Sequence, residues 1–479
     1  MTELHWLSAI ELSRTLASGQ VSSVEAVDHF AARIEALNGP TNAVVLTDFE
    51  RARGEAKVID DSRAKGEPLG PLAGVPMTVK DSFSTEGMVT TSGSPTLADH
   101  VPSEDAWPVA AVRAAGAVVM GKTNLPIWAG DLQSYNEVYG TTNNPYDLGR
   151  TPGGSSGGSA AALACGFTPL EIGSDIGGSI RIPSHMSGVV GHKPSYGIVP
   201  AHGQIPGPPG TLTLADLAVA GPMARTVEDL ELGLELMAGP NRWDGPAWRL
   251  ELPPARGGDS IAGFRIAAWL DDPHCPIDGE SKSILEGAVA KIEAAGATVA
   301  DDTRPDFTLE KVATTFHALL QAALAGGETR DRIEEFALET GTGFTADARR
   351  SLAMRHREWL SNNERRLQMR KQWEDFFQSY DVALLPVCML PALEHDHGPA
   401  GDRTVQVNGE TRDYFEMITW MAPAGACYLP ATVIPVGLTE AGLPVGIQIV
   451  GPYLNDNTTL AFARLLTEIV GPIPRPPGY

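Results

Sequence analysis

Two serines of this 479-residue chain stand in glycine-rich stretches. Ser155 lies in Gly153-Gly154-Ser155-Ser156-Gly157-Gly158, and Ser179 in Gly173-Ser174-Asp175-Ile176-Gly177-Gly178-Ser179-Ile180-Arg181. A serine hydroxyl is a poor nucleophile at neutral pH and needs a base beside it. Neither stretch contains a histidine, so a Ser–His pair has no local support. The chain offers Lys80 instead, at the end of Gly74-Val75-Pro76-Met77-Thr78-Val79-Lys80-Asp81. A free lysine has a pKa of about 10.4 and is almost wholly protonated at neutrality. Burial disfavours the charged form and can lower that value by about 3 to 5 units. The apolar run before Lys80 reads as an interior strand that would carry the amine into a covered site. The alternative is a strand-end lysine that is exposed or paired with Asp81.

Each motif also has a plainer reading. Six Gly and Ser residues in a row form a flexible linker in many chains. Here, however, the turn cluster Asn143-Asn144-Pro145-Tyr146 precedes them. An Ala-rich run, 159–166, follows; it propagates a helix well and ends at a plausible stop, Gly166. The segment therefore reads as a loop packed beneath a helix N-terminus, where free N–H groups favour negative charge. The second stretch could be a tight turn between strands, with glycines supplying positive φ. A further motif, Gly116-Ala117-Val118-Val119-Met120-Gly121-Lys122-Thr123, satisfies the phosphate-loop pattern. Its middle residues read as the strand itself, after a helical 107–115 and before the turn Asn124-Leu125-Pro126. That order is wrong for a phosphate cradle, so no nucleotide is expected.

Taken together, Lys80, Ser155 and Ser179 in these motifs resemble the amidase signature family, whose catalytic group is Ser–cis-Ser–Lys. The resemblance covers most of the chain, is strongest over about 72–200, and returns at 443–452. It implies Ser179 as nucleophile and Ser155 as the bridge to Lys80, held by a cis Gly154–Ser155 bond. Protons would pass from Ser179 through Ser155 to Lys80 and return to the departing amine. The N–H groups of Ile176, Gly177, Gly178 and Ser179 are placed by sequence to receive the oxygen that becomes negative, each such donor being worth about 3 kcal/mol. Asp175 and Arg181 resemble the family's supporting ion pair, and Ser156 reads as a hydroxyl beside the catalytic group. These three could otherwise be ordinary loop residues. One departure stands beside Lys80: many relatives have Asn after Lys-Asp, where this chain has Ser82.

The elements that must position these groups are legible in outline. Ser8-Ala9-Ile10-Glu11 and Ser22-Ser23-Val24-Glu25 both have capping-box spacing. After the second, Val24, Val27, Phe30, Ala31, Ile34 and Leu37 form an apolar helical stripe. Further along, strands are expected at 117–120, 264–270 and 297–300, and a helix at 281–295. This alternation argues for an α/β fold. With the resemblance, it becomes a single amidase signature domain over 1–479, a central mixed β-sheet covered by helices on both faces. The charged, mostly helical region of about 305–380 is the family's variable part and would help wall the pocket.

Composition narrows the partners. A hydrophobic content of 43% suits a soluble globular protein. A net charge of −23 argues against nucleic acid, whose phosphates it would repel. No apolar run is long enough to span a bilayer, and the start, Met1 to Trp6, lacks a leader pattern. The four scattered cysteines form no CxxC pair or disulfide framework, which fits a reducing cytoplasm. His395-Asp396-His397 offers two potential metal ligands without a third, so no metal and no cofactor are expected.

The substrate is less legible than the reaction. Segments 128–139 and 414–428 are more apolar and aromatic than their surroundings. Trp128, Gln133, Tyr135, Trp420, Met421 and Cys427 are therefore candidates for a pocket, or else for core. The leading expectation is a hydrolase of small apolar or aryl amides, with esters and carbamates (urethanes) also open, and homo-oligomers allowed. One rival is the glutamine-hydrolysing A subunit of a tRNA-dependent amidotransferase. Proteins of that type usually continue Met-Asp-Glu-Phe where this chain reads Leu125-Pro126-Ile127-Trp128. A non-catalytic binding protein on the same fold is a second rival, against which the retention of Lys80, Ser155 and Ser179 speaks.

Overall fold

A computed structural model describes residues 3–205 and 209–479. Met1 and Thr2, the start of the stretch read for a leader, lie outside the described residues. Both expected capping boxes form. Ser8 and Glu11 cap the helix Ala9–Ala17, and Ser22 and Glu25 cap the helix Ser23–Thr41. The second helix buries Val27, Phe30, Ala31 and Ile34 of the expected stripe, half-buries Val24 and Leu37, and adds Ala26.

In chain order the strands are β1 (Val44–Thr47), β2 (Pro76–Lys80), β3 (Val118–Thr123), β4 (Tyr135–Asn136), β5 (Gly140–Thr141), β6 (Leu170–Asp175), β7 (Val190–Lys193) and β8 (Val219–Ala224). There follow β9 (Ile266–Ala268), β10 (Val299–Ala300), β11 (Val382–Pro386), β12 (Thr404–Val407), β13 (Glu410–Asp413), β14 (Ala431–Leu438) and β15 (Pro444–Val450). Eight of them make one mixed sheet in the order β10-β9-β11-β15-β14-β7-β8-β6. β10, β9 and β11 run parallel, and the remaining pairings are antiparallel. Helices lie on both faces. Gly446 of β15 faces His185 of the helix Arg181–Ser187, whereas Gly437, paired with the neighbouring Val445, faces Ile284 of the helix Gly279–Ala294. A second sheet, β1-β3-β2, lies beside the first so that β2 packs against the edge strand β6.

Three expectations are refined. The strand expected at 264–270 is only Ile266–Ala268, because its partners β10 and β11 pair with no more of it. The stretch around Ser179 is not a turn between strands: it leads from β6 into the helix Arg181–Ser187. The phosphate-loop pattern is indeed β3, and its Lys122 is fully buried, donating to the Phe83 carbonyl at 2.5 Å and to Thr85 Oγ1 at 2.7 Å. The region from Leu309 is helical as expected, in Leu309–Leu324, Arg330–Phe336, Phe344–Leu352 and His356–Phe376. No helix of the described residues is long and apolar enough to cross a membrane.

Most buried apolar residues form one contiguous cluster, to which Phe30 belongs with no exposed surface. Truncating Phe30→Ala should therefore leave a cavity and cost about 3–5 kcal/mol, measurable by urea denaturation.

Candidate active site

The local geometry follows from two strand ends. β2 is buried along its whole length and delivers Lys80 to its C-terminus with no exposed surface. β6 ends at Asp175, and the loop after it carries Ser179. The loop with Ser155 lies between them and leads into the helix Gly157–Ala164, as its Ala-rich sequence requires. Its Gly154–Ser155 peptide bond is cis. Gly154 lies flat on the backbone of residues 131–133, where a Cβ would come within 2.6 Å of the Leu132 carbonyl carbon. Ser134 clamps the same loop, donating to the Gly153 carbonyl at 3.0 Å and accepting the Gly157 N–H at 3.1 Å.

The Lys80 amine is surrounded by hydroxyls. Its Nζ lies 2.7 Å from Ser155 Oγ, 2.9 Å from Ser156 Oγ and 2.9 Å from Ser174 Oγ. Asp81 is not its partner: that carboxylate accepts the N–H and hydroxyl of Thr91, at 3.0 and 2.5 Å. Burial pulls the Lys80 pKa down to about 7, against the opposing pull of Asp175 and Glu171. The Ser156 N–H donates to the Ser179 carbonyl at 3.2 Å, which ties the two serine loops together. Exposure rises from 0% at Lys80 through 1% at Ser155 to 6% at Ser179. The amine is thus the covered end of the array and Ser179 the accessible end.

Asp175 and Arg181 shape the loop around Ser179. Both carboxylate oxygens accept from the guanidinium, at 3.0 and 2.8 Å, and neither side chain is exposed. The carboxylate also accepts the N–H of Gly178 at 3.0 Å and of Ile180 at 3.2 Å. Burial pushes Asp175 up, but Arg181, Lys193 and the loop N–H groups together outweigh it and hold the carboxyl below its usual range. The Gly178 N–H is therefore engaged, which removes it from the four expected to receive an anionic oxygen. Those of Ile176, Gly177 and Ser179 meet no protein acceptor among the described residues. Arg181 reaches on to Gln448 Oε1 of β15 at 2.6 Å, and Gln448 donates to the carbonyls of Trp420 and Pro386.

The Amidase family model matches residues 25–460. The chain belongs to that family. It is 33% identical over 485 residues to the A subunit of the glutamyl-tRNA(Gln) amidotransferase of Moorella thermoacetica, with 96% of each chain covered. A solved bacterial aryl acylamidase of the amidase signature family superposes with a TM-score of 0.81 at 25% identity, covering 98% of this chain and 97% of that one. A structure described with the origins of an s-triazine catabolic enzyme superposes with a TM-score of 0.82 at 28% identity, covering 98% and 100%.

The amidase does not gather all the candidate pocket residues. Trp420 is core: its indole N–H donates to the Cys275 carbonyl at 3.0 Å and its ring meets Trp269 edge-on. Cys427 is core too, its thiol pushed up by burial to about 12. Gln133 is pinned to the backbone of Asp396 at 2.9 and 3.1 Å, and Tyr135 is held by Arg403 at 2.6 Å and stacked on His397. Trp128 is 37% exposed. Met421 does reach the site, since its side chain fills the space a Cβ on Gly178 would need. Sequence reasoning missed Ser174, although it adjoins Asp175 in the same motif. It also missed Leu320 and Ile418, whose methyl carbons lie 3.8 and 4.0 Å from an ideal Cβ on Gly177. No local pattern marks those two.

Arg181→Met should strand a buried carboxylate and cost about 3–5 kcal/mol in chemical denaturation. Arg181→Lys should recover little of this, because an ammonium cannot span Asp175 and Gln448 as the planar fork does.

Proposed function

We propose that this amidase hydrolyses small amides with an apolar or aryl group beside the scissile bond, through an acyl-enzyme on Ser179. The observation that carries the reading is the hydroxyl cage of Lys80. An ammonium would donate to all three serines around it. The neutral amine donates to two, and its lone pair accepts from the third. With Ser156 and Ser174 as the acceptors, the lone pair faces Ser155 at the shortest of the three distances.

The reaction then runs in balanced steps. Ser179 Oγ attacks the carbonyl carbon and gives its proton to Ser155, whose own proton moves to Lys80. The oxygen that becomes negative is received by N–H groups of Ile176, Gly177 and Ser179. The relay reverses: Lys80 returns a proton through Ser155 to the leaving nitrogen as the C–N bond breaks. Water, deprotonated along the same path, attacks the ester and releases the acid and Ser179. Amine expulsion needs that returned proton, because an amide nitrogen leaves badly as an anion. Esters and carbamates meet the same requirements more easily. Asp175 and Arg181 hold the loop and touch no reacting atom.

The substrate class rests on what faces the loop. The atoms nearest an ideal Cβ on Gly177 are methyls of Leu320 and Ile418, with Met421 beside Gly178. Such a wall suits an apolar group. A free amino acid would need partners for both its charges. A second reading, hydrolysis of glutamine to feed a tRNA-dependent amidotransferase, is favoured by the 33% identity to one component of such an enzyme. It would show as glutaminase activity and copurifying partner proteins.

With an apolar acyl nitroanilide, kcat/KM should rise through about pH 7 and then level, because the base is neutral Lys80. A limb still climbing near pH 10 would contradict a depressed lysine. Ser179→Ala should lose about 10⁴-fold or more in kcat. Glutamine turned over faster than the nitroanilide would displace the leading reading in favour of the second.

A further inference from the structure

Glu171 of β6 takes no part in these steps, yet it is fully buried within the same pair of strands. Its Oε1 accepts the Thr78 hydroxyl, and the Ser159 hydroxyl and the Ile172 N–H also favour its charged form. Thr78 stands two residues before Lys80 on β2, so both side chains leave one face of that strand about 7 Å apart. Ser174, three residues after Glu171 on β6, holds the Lys80 amine. Carboxyl and amine are thus framed by the same two strands.

Other charges complete the array. On β3, Lys122 donates to Phe83 O, Thr85 Oγ1 and, at 3.4 Å, Thr90 Oγ1, three acceptors for three N–H groups. It interacts with both Asp81 and Glu171. Asp175, paired with Arg181, also acts on Lys80, and Lys193 acts on that pair while its amine donates to the carbonyls of Pro194 and Leu429. Burial lowers Lys122 to about 8 and raises Glu171 to about 7 and Asp81 to about 6. Of these groups, Asp175 and Glu171 are the two carboxyls that pull the Lys80 amine towards its charged form, against burial.

We propose that Glu171 is a positioning residue for the reaction: its carboxylate, fixed by Thr78, stabilises the Lys80 ammonium that forms when Ser179 gives up its proton. The proposal rests on the relay described above, with Lys80 as its terminus.

Glu171→Gln keeps the shape and an acceptor for Thr78 but removes the charge. Its acid limb in kcat/KM for the nitroanilide should move to lower pH by about one unit, the direction and scale of losing a nearby opposite charge. The plateau kcat should fall, with KM unchanged. Thr78→Val, which removes the first of the hydrogen bonds that favour the ionised carboxyl, should move the limb the same way by less, and carries the test should the first variant fail to fold. Limbs that stay put in both variants, or move to higher pH, overturn the role of Glu171. The relay fails separately: Lys80→Met with wild-type activity would remove Lys80 as the base, whatever Glu171 does.

Discussion

An amine buried without a directly bound carboxylate is the constraint on which this structure turns. A lysine in contact with an acid stays charged and cannot act as a base near neutrality. A lysine buried among apolar groups alone would leave its N–H groups without acceptors. Three serine hydroxyls around Lys80 Nζ resolve both problems at once. They satisfy the amine in either protonation state, and they leave its charge to be set by burial and by carboxylates farther away. Those serines come from one loop and a strand, Ser155 and Ser156 from the loop and Ser174 from β6. The backbone that carries them must be held to within hydrogen-bond tolerance for the cage to work.

That holding is done by a second buried group. Asp175 closes the loop around Ser179 by accepting two of its N–H groups, and Arg181 keeps the carboxylate ionised in a site closed to solvent. Arg181 in turn is anchored on Gln448 of β15, far along the chain but next to β11 and β14 in the large sheet. The second occurrence of family-like sequence at 443–452 thereby acquires a physical reason. It supplies the far end of the arginine, and the same glutamine fixes the carbonyls of Trp420 and Pro386. The nucleophile loop is thus coupled to the C-terminal strands through one side chain that has no exposed surface.

What could be read from sequence divides along the same lines. Lys80, Ser155 and Ser179 were legible because each sits in a local motif whose glycines or apolar run say what the backbone does. The capping boxes at Ser8 and Ser22 and the stripe through Phe30 were legible because helix rules act within a few residues. Gly178 was misjudged as a free donor because its engagement depends on how Asp175 folds back, which spacing alone does not show. Trp420 and Cys427 stayed open between pocket and core because aromatic and apolar content marks both alike, and both are core. Only tertiary packing puts Trp420 on Trp269 and Met421 on Gly178.

Leu320 and Ile418 show where the limit falls and why it matters for substrate choice. The proposed relay of this amidase draws on three short motifs between Gly74 and Arg181, which relatives with different substrates could share intact. The wall facing Gly177 comes instead from the helix Leu309–Leu324 and the turn Tyr414–Met421, each remote in sequence from the loop it faces. The side chains of Leu320 and Ile418 can change without disturbing the hydroxyl cage or the Asp175–Arg181 pair, because neither bonds to either. An identity of 33% to an amidotransferase component therefore bears on the bond-breaking machinery far more than on the group admitted to it. The proposed preference for an apolar partner rests instead on the methyl carbons beside Gly177.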